Sequence, residues 1–149
     1  MKVLITGGAG YIGSHMALTL LDEGNDVVIL DNLTTGSKLI VPPKANFIEG
    51  DISDLNLVQK ILNEYNFDAV THFAGSIKVE ESILDPIKYY NNNTMKTLHF
   101  LDCLIKSNVT KFIFSSTAAI YDEKKIGFVS ETHSCNPANP YGQSKWMCE

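Results

Sequence analysis

Thr6-Gly7-Gly8-Ala9-Gly10-Tyr11-Ile12-Gly13 follows directly on the apolar run Val3-Leu4-Ile5. It opens onto a stretch that carries Ile12, Met16, Leu20 and Leu21 on one helical face, from about Gly13 to Glu23. A buried strand, a glycine turn and a helix in that order form a first βα unit able to hold a diphosphate. Gly7, Gly10 and Gly13 are spaced G-x-x-G-x-x-G. A glycine at Gly7 allows a tight turn with positive φ. At Gly10 the missing Cβ lets a pyrophosphate approach the backbone, and at Gly13 it permits close packing of helix on strand. The helix N-terminus, with Tyr11 and Ile12 at its head, then faces the phosphates. A glycine-rich turn without any ligand is the competing reading; the strand before, the helix after and an acid downstream weigh against it. A Walker A loop is excluded, because no lysine precedes Ser14.

Outward from that turn, short apolar runs alternate with longer amphipathic stretches. Gly24-Asn25 stops the first helix. Val27–Leu30, Asn46–Glu49, Ala69–Phe73 and Lys111–Ser115 read as further strands. Helices are expected from about Asp54 to Tyr65, capped by Ser53 or Asp54, and from Pro86 to Lys106. Asn139-Pro140 starts a last one, with asparagine as cap and proline at the first turn. Strands without polar alternation are buried on both faces, as in a parallel sheet. The alternation predicts a doubly wound α/β sheet with its strand C-termini on one rim. Each motif singled out falls at such a C-terminus, except the last, which opens a helix.

Asp31 ends the second strand, about 20 residues past the turn. A carboxylate there accepts hydrogen bonds from both ribose hydroxyls of an adenosine and repels a 2′-phosphate. No arginine lies nearby to receive such a phosphate, so NAD is expected rather than NADP. The chain of 149 residues carries a net charge of −5, which disfavours nucleic acid or an anionic membrane as partner. Three cysteines without a C-x-x-C pair suggest neither zinc nor a redox dithiol, and fit a cytoplasmic setting. No metal site is expected from the histidines; His72, in a buried strand, reads as a core residue. The apolar start is too short for a signal segment or a membrane span.

Four further segments carry a resemblance. They are Gly50-Asp51-Ile52, Phe73-Ala74-Gly75, Ser115-Ser116-Thr117, and Tyr141-Gly142-Gln143-Ser144-Lys145. With the glycine spacing, they resemble the extended short-chain dehydrogenase/reductase family, whose nucleotide-binding part is a Rossmann fold. The resemblance implies that Asp51 and Ile52 meet the adenine, and that Phe73, Ala74 and Gly75 pass under the pyrophosphate. It implies that Thr117, Tyr141 and Lys145 are catalytic, with Tyr141 and Lys145 also touching the cofactor. Asp31-Asn32-Leu33, Lys78 after Phe-Ala-Gly, and Tyr89-Tyr90-Asn91-Asn92-Asn93 are most similar to members that epimerise a UDP-sugar at C4. That similarity implies tightly held NAD, a UDP-galactose/UDP-glucose substrate, and a homodimer in the full-length protein. Asn32 and Lys78 join the expected cofactor contacts. So does Asn92 or Asn93, unless those asparagines are only a polar helix face. Tyr141 and Lys145, at i and i+4, share one face of the last helix. A cation at that spacing is expected to stabilise the phenolate form of Tyr141.

The chain departs from the family in three places. Tyr121 is followed by Asp122 instead of glycine, Thr117 stands where serine is commoner, and the chain ends at Glu149. The family continues for roughly as many residues again, in a domain that grips the sugar nucleotide. The expectation is therefore a nucleotide-binding domain over 1–149, with its last helix cut, the substrate domain absent and no useful turnover by this chain alone. Three other readings stay open. A nucleotide-sugar decarboxylase is one. A dehydratase is another, although Ala118-Ala119 stands where an acidic pair would follow Thr117. The third is a non-catalytic NAD-binding module.

Overall fold

Val3, Leu4 and Ile5 are all buried, and so are Val27 to Leu30. Successive side chains of a strand point to opposite faces, so such runs require cover on both sides. The computed structural model, which describes residues 1–122 and 127–149, provides that cover. Five strands form one sheet: β1 (Lys2–Thr6), β2 (Asp26–Asp31), β3 (Asn46–Glu49), β4 (Ala69–His72) and β5 (Phe112–Phe114). All pair in parallel, in the order β3-β2-β1-β4-β5. Leu4 lies opposite Val28 on one side and Val70 on the other. The helix α1 (Tyr11–Asp22) joins β1 to β2, and α2 (Leu55–Glu64) joins β3 to β4.

Two apolar clusters cover the sheet. Leu4, Val28, Leu30 and Val70 pack with Val58, Ile61 and Leu62 of α2 and with Phe100, Cys103 and Leu104. On the other face Val3, Ile5, Val27 and Ile29 pack with Ala17 and, at its edge, Met16, Leu20 and Leu21 of α1. The strand order reverses at β1, because the chain runs outward to β3 and returns to place β4 beside β1. Open α/β sheets bind ligands beyond the strand C-termini at such a switch point.

The chain divides into two compact units. The first is Met1–Ala74 with His99–Ser115, and it holds the whole sheet. The second is Gly75–Leu98 with Ser116–Glu149. Its elements are α3 (Val79–Leu84), α4 (Pro86–Tyr89), a π-helical segment (Tyr90–Met95), a 3₁₀ turn (Ala118–Ile120) and α6 (Pro140–Trp146). The helix α5 (Lys96–Ile105) begins in the second unit and ends in the first.

Two expectations need correction. The stretch Pro86–Lys106 is not one uniform α-helix but α4, the π segment and α5. A π turn holds an extra residue, and here it turns Asn93 and Thr94 inward onto α6. The last helix stops at Trp146, with Met147 at its C-cap, rather than running to Glu149. Helix α3 went unforeseen. Among the described residues no helix is long and apolar enough to cross a membrane.

Candidate functional site

In the first unit the glycine turn is shaped by close backbone approach. Gly7 has φ +74°, and a Cβ on it would lie 2.5 Å from the Ala74 nitrogen and 2.7 Å from the Phe73 carbonyl carbon. The Phe73 N–H donates to the Thr6 carbonyl at 2.9 Å, which ties the end of β4 to the end of β1. A Cβ on Gly13 would lie 2.3 Å from the Gly7 oxygen, so α1 packs on the turn itself rather than on the strand as expected. Gly8, outside the quoted glycine spacing, is equally constrained: its Cβ would meet Ile29 of β2 at 2.6 Å. Gly10 differs. A Cβ there would meet only the Gly7 oxygen, at 3.3 Å. Its approach is open, and no side chain caps α1 above it. Tyr11 and Ile12, at the head of α1, are exposed.

Asp31 is buried at the end of β2. One carboxylate oxygen accepts the Ala9 N–H at 2.9 Å, the other the Leu33 N–H at 2.8 Å. The same residue thus fixes the glycine turn and the loop after β2. Leu33 holds a left-handed φ of 57°, a conformation this anchor supports. Asn32 donates to the Asp51 carboxylate at 2.6 Å, and Asp51 also accepts from the Ser53 N–H and hydroxyl. Ile52 is buried, and Asp54, not Ser53, caps α2 by accepting the Leu57 N–H. His72 is a satisfied core residue, as expected. Its Nδ1 lies 2.6 Å from the Thr6 hydroxyl, and its ring stacks on Phe100 and Phe114.

In the second unit α6 carries Tyr141 and Lys145. Asn139 caps it by accepting the Gly142 N–H at 2.8 Å, with Pro140 at the first turn, as the sequence predicts. A Cβ on Gly142 would lie 2.3 Å from the Ala119 oxygen. The glycine inside Y-x-x-x-K therefore lets α6 rest on the 3₁₀ turn. Thr117 is the N-cap of that turn, its hydroxyl accepting the Ala119 N–H at 3.2 Å. The helix that carries Tyr141 and Lys145 thus rests on the turn that Thr117 caps. The turn also pairs beyond itself through a bridge between Tyr121 and Cys135.

Lys145 is 4 % exposed. Burial pushes its ammonium below the ordinary lysine value, and the nearby Cys148 partly opposes this. A Cβ on Gly75 would stand 3.1 Å from the Asn93 amide oxygen and 3.4 Å from the Lys145 ammonium, so only glycine fits there comfortably. Asn93 is fully engaged as a donor: its amide donates to the Ser76 carbonyl and to the Ser144 hydroxyl, both at 3.0 Å. Its oxygen accepts the Ser76 N–H at 2.7 Å. Among the described residues the Asn92 side chain makes one hydrogen bond, to the Ser76 hydroxyl at 3.0 Å. Of the two asparagines, Asn92 thus keeps donor capacity for a ligand, and Asn93 links α6 to the Gly75-Ser76 segment. Lys78 is exposed at the head of α3. The signal that could have found the role of Asn93 is absent from local sequence, because its partner Ser144 lies 51 residues away.

The family model for the NAD dependent epimerase/dehydratase family matches residues 3–149. The chain belongs to that family. The UDP-glucose 4-epimerase of Lactobacillus helveticus is 49 % identical over 149 residues, covering 100 % of this chain and 45 % of the relative. Among solved structures, the UDP-Glc/GlcNAc 4-epimerase from Campylobacter jejuni superposes with a TM-score of 0.94 at 45 % identity, covering 99 % of this chain and 46 % of that one. The UDP-glucose 4-epimerase from Brucella ovis in complex with NAD gives 0.95 at 41 % identity, covering 99 % and 45 %. This member of the epimerase/dehydratase family spans less than half the length of the curated relatives it matches.

Proposed function

We propose that this chain binds NAD and supplies the proton-transfer residues of a UDP-glucose 4-epimerase. The observation that carries the proposal is the seating of α6 on the turn capped by Thr117, made possible by Gly142. It groups a phenol, an ammonium and a hydroxyl in one unit.

The first unit suits the adenosine diphosphate portion of NAD. The uncapped head of α1 and the open face at Gly10 offer N–H groups to a diphosphate. Each Asp31 oxygen accepts one backbone N–H and keeps a second acceptor direction for a ribose hydroxyl. Asp51, Ile52, Phe73 and Ala74 are proposed contacts of the same portion. Gly75, Lys78, Asn92, Tyr141 and Lys145 are proposed cofactor contacts.

Bound NAD supplies a reversible hydride acceptor for C4 of the sugar. The protein's part is the proton. Tyr141, as phenolate, takes the proton from the sugar 4-hydroxyl, and Thr117 holds that hydroxyl in place. Lys145 stabilises the phenolate. Its burial means that its charge is poorly solvated, so a neighbouring anion gains more from it than it would in water. In the reverse half of the reaction Tyr141 would return the proton to the sugar oxygen. UDP-galactose and UDP-glucose are the proposed substrates, and a cytoplasmic homodimer is the proposed full-length form.

The test is a chimera in which this chain replaces the matching segment of the Lactobacillus helveticus relative. The expected result is interconversion of UDP-galactose and UDP-glucose without carbon dioxide release from UDP-glucuronate. Tyr141→Phe in the chimera is expected to lower kcat by about 100-fold or more, as for loss of a general base. A folded, NAD-loaded chimera that decarboxylates, or that turns over neither sugar, would contradict the proposal.

A further inference from the structure

By sequence, Tyr89 and Tyr90 read as helix-packing groups rather than cofactor contacts. Tyr89 is 0 % exposed at the end of α4. Both ends of its side chain are occupied within the second unit. The hydroxyl accepts the Lys78 N–H at 2.9 Å and donates to the Glu81 carboxylate at 2.8 Å. The other Glu81 oxygen pairs with the Lys88 ammonium at 2.6 Å. The ring meets that of Tyr141 edge to face, centroids 6.3 Å apart and planes at 82°. This is a favourable aromatic geometry.

We infer that Tyr89 is a positioning residue that fixes two groups at once: the Tyr141 ring through its own ring, and the head of α3 with Lys78 through its hydroxyl. The inference rests on the proposed roles of Tyr141 and Lys78. One rigid side chain serves both, the ring against the proposed base and the hydroxyl at the proposed cofactor contact. Burial and the hydrogen bond to Glu81 push the Tyr89 phenol up to about 12. It therefore stays neutral across the working range.

The two ends can be removed separately. Tyr89→Phe keeps the ring and deletes the hydroxyl. NAD uptake by the whole 149-residue chain, followed by calorimetry, is expected to weaken about fivefold, the effect of one ordinary hydrogen bond. The ¹³C-labelled ring signal of Tyr141 is expected to stay in place. Tyr89→Leu also deletes the ring, and is expected to shift and sharpen that signal as Tyr141 turns over faster. Glu81→Gln retains an acceptor for the Tyr89 hydroxyl and is expected to bind NAD within about twofold of wild type. Glu81→Ala is expected to reproduce Tyr89→Phe. If Tyr89→Leu does not fold, Tyr89→Phe and the two Glu81 variants decide. Folded Tyr89 variants that bind NAD as wild type and leave the Tyr141 signal unmoved would overturn the inference and leave the proposed function standing. Failure of the unaltered chain to take up NAD would overturn both.

Discussion

Lys145 is buried in α6, and burial holds its ammonium below the ordinary value of 10.5. The unfolded chain therefore binds more protons than the folded one between the folded value and 10.5. Stability rises with pH wherever the unfolded state binds more protons, so it climbs over that interval. Tyr89 acts in the opposite sense. Its folded value of about 12 exceeds the ordinary 10.0, so its contribution is complete below 10.0 and is lost as pH rises through about 12. The Lys145 effect is thus best read below 10.0. Lys145→Met is expected to flatten the rise. Calorimetric melting across that pH range checks this. A variant that keeps the wild-type rise of stability with pH would show that Lys145 is not its source. Asp31 shows how far a single residue was legible. Its position after β2 pointed to a ribose, but its second task, holding the Ala9 N–H of the glycine turn, depends on a contact 22 residues back in the chain.

At the level of elements, the strands and their caps were largely readable and the second unit was less so. Continuous apolar runs can only be double-faced strands here, which is why β1, β2 and β4 were found within a residue or so at each end. Asn139-Pro140 carries its own start signal for α6. Helix α3 has six residues, too few to show a period, and its cohesion comes from Glu81 bonding to Tyr89 and Lys88. The π segment was hidden for a related reason. Helical spacing over Pro86–Lys106 registers a helix whether or not one turn holds an extra residue, and the gain comes from Asn93 and Thr94 reaching Ser144. Gly142 is the sharpest prediction at this scale. In Gly142→Ala the new Cβ would collide with the Ala119 carbonyl, so α6 must lift from the 3₁₀ turn. The expected loss is about 1–3 kcal/mol in thermal stability, as for overpacking elsewhere. In the chimera kcat should fall as well, since Tyr141 and Thr117 move apart. Unchanged stability and kcat would mean that α6 does not depend on this contact.

For the molecule as a whole, composition and strand–helix alternation were enough to predict the doubly wound sheet, because a parallel sheet needs helices on both faces. The division into two compact units was not legible, since it follows from pairings between distant segments, such as Ser76 with Asn93 and Asn93 with Ser144. The first unit bears the proposed diphosphate turn and ribose carboxylate, and the second the proposed acid–base group. The proposed ligand of the first unit is the adenosine diphosphate portion of NAD. Calorimetric titration of the purified chain with NAD, and in parallel with NADP, tests this most directly. The expected result is saturable binding of NAD, with NADP weaker by about tenfold or more, because a 2′-phosphate would face the Asp31 carboxylate. A folded chain that binds neither dinucleotide, or that binds NADP as tightly as NAD, would contradict the account.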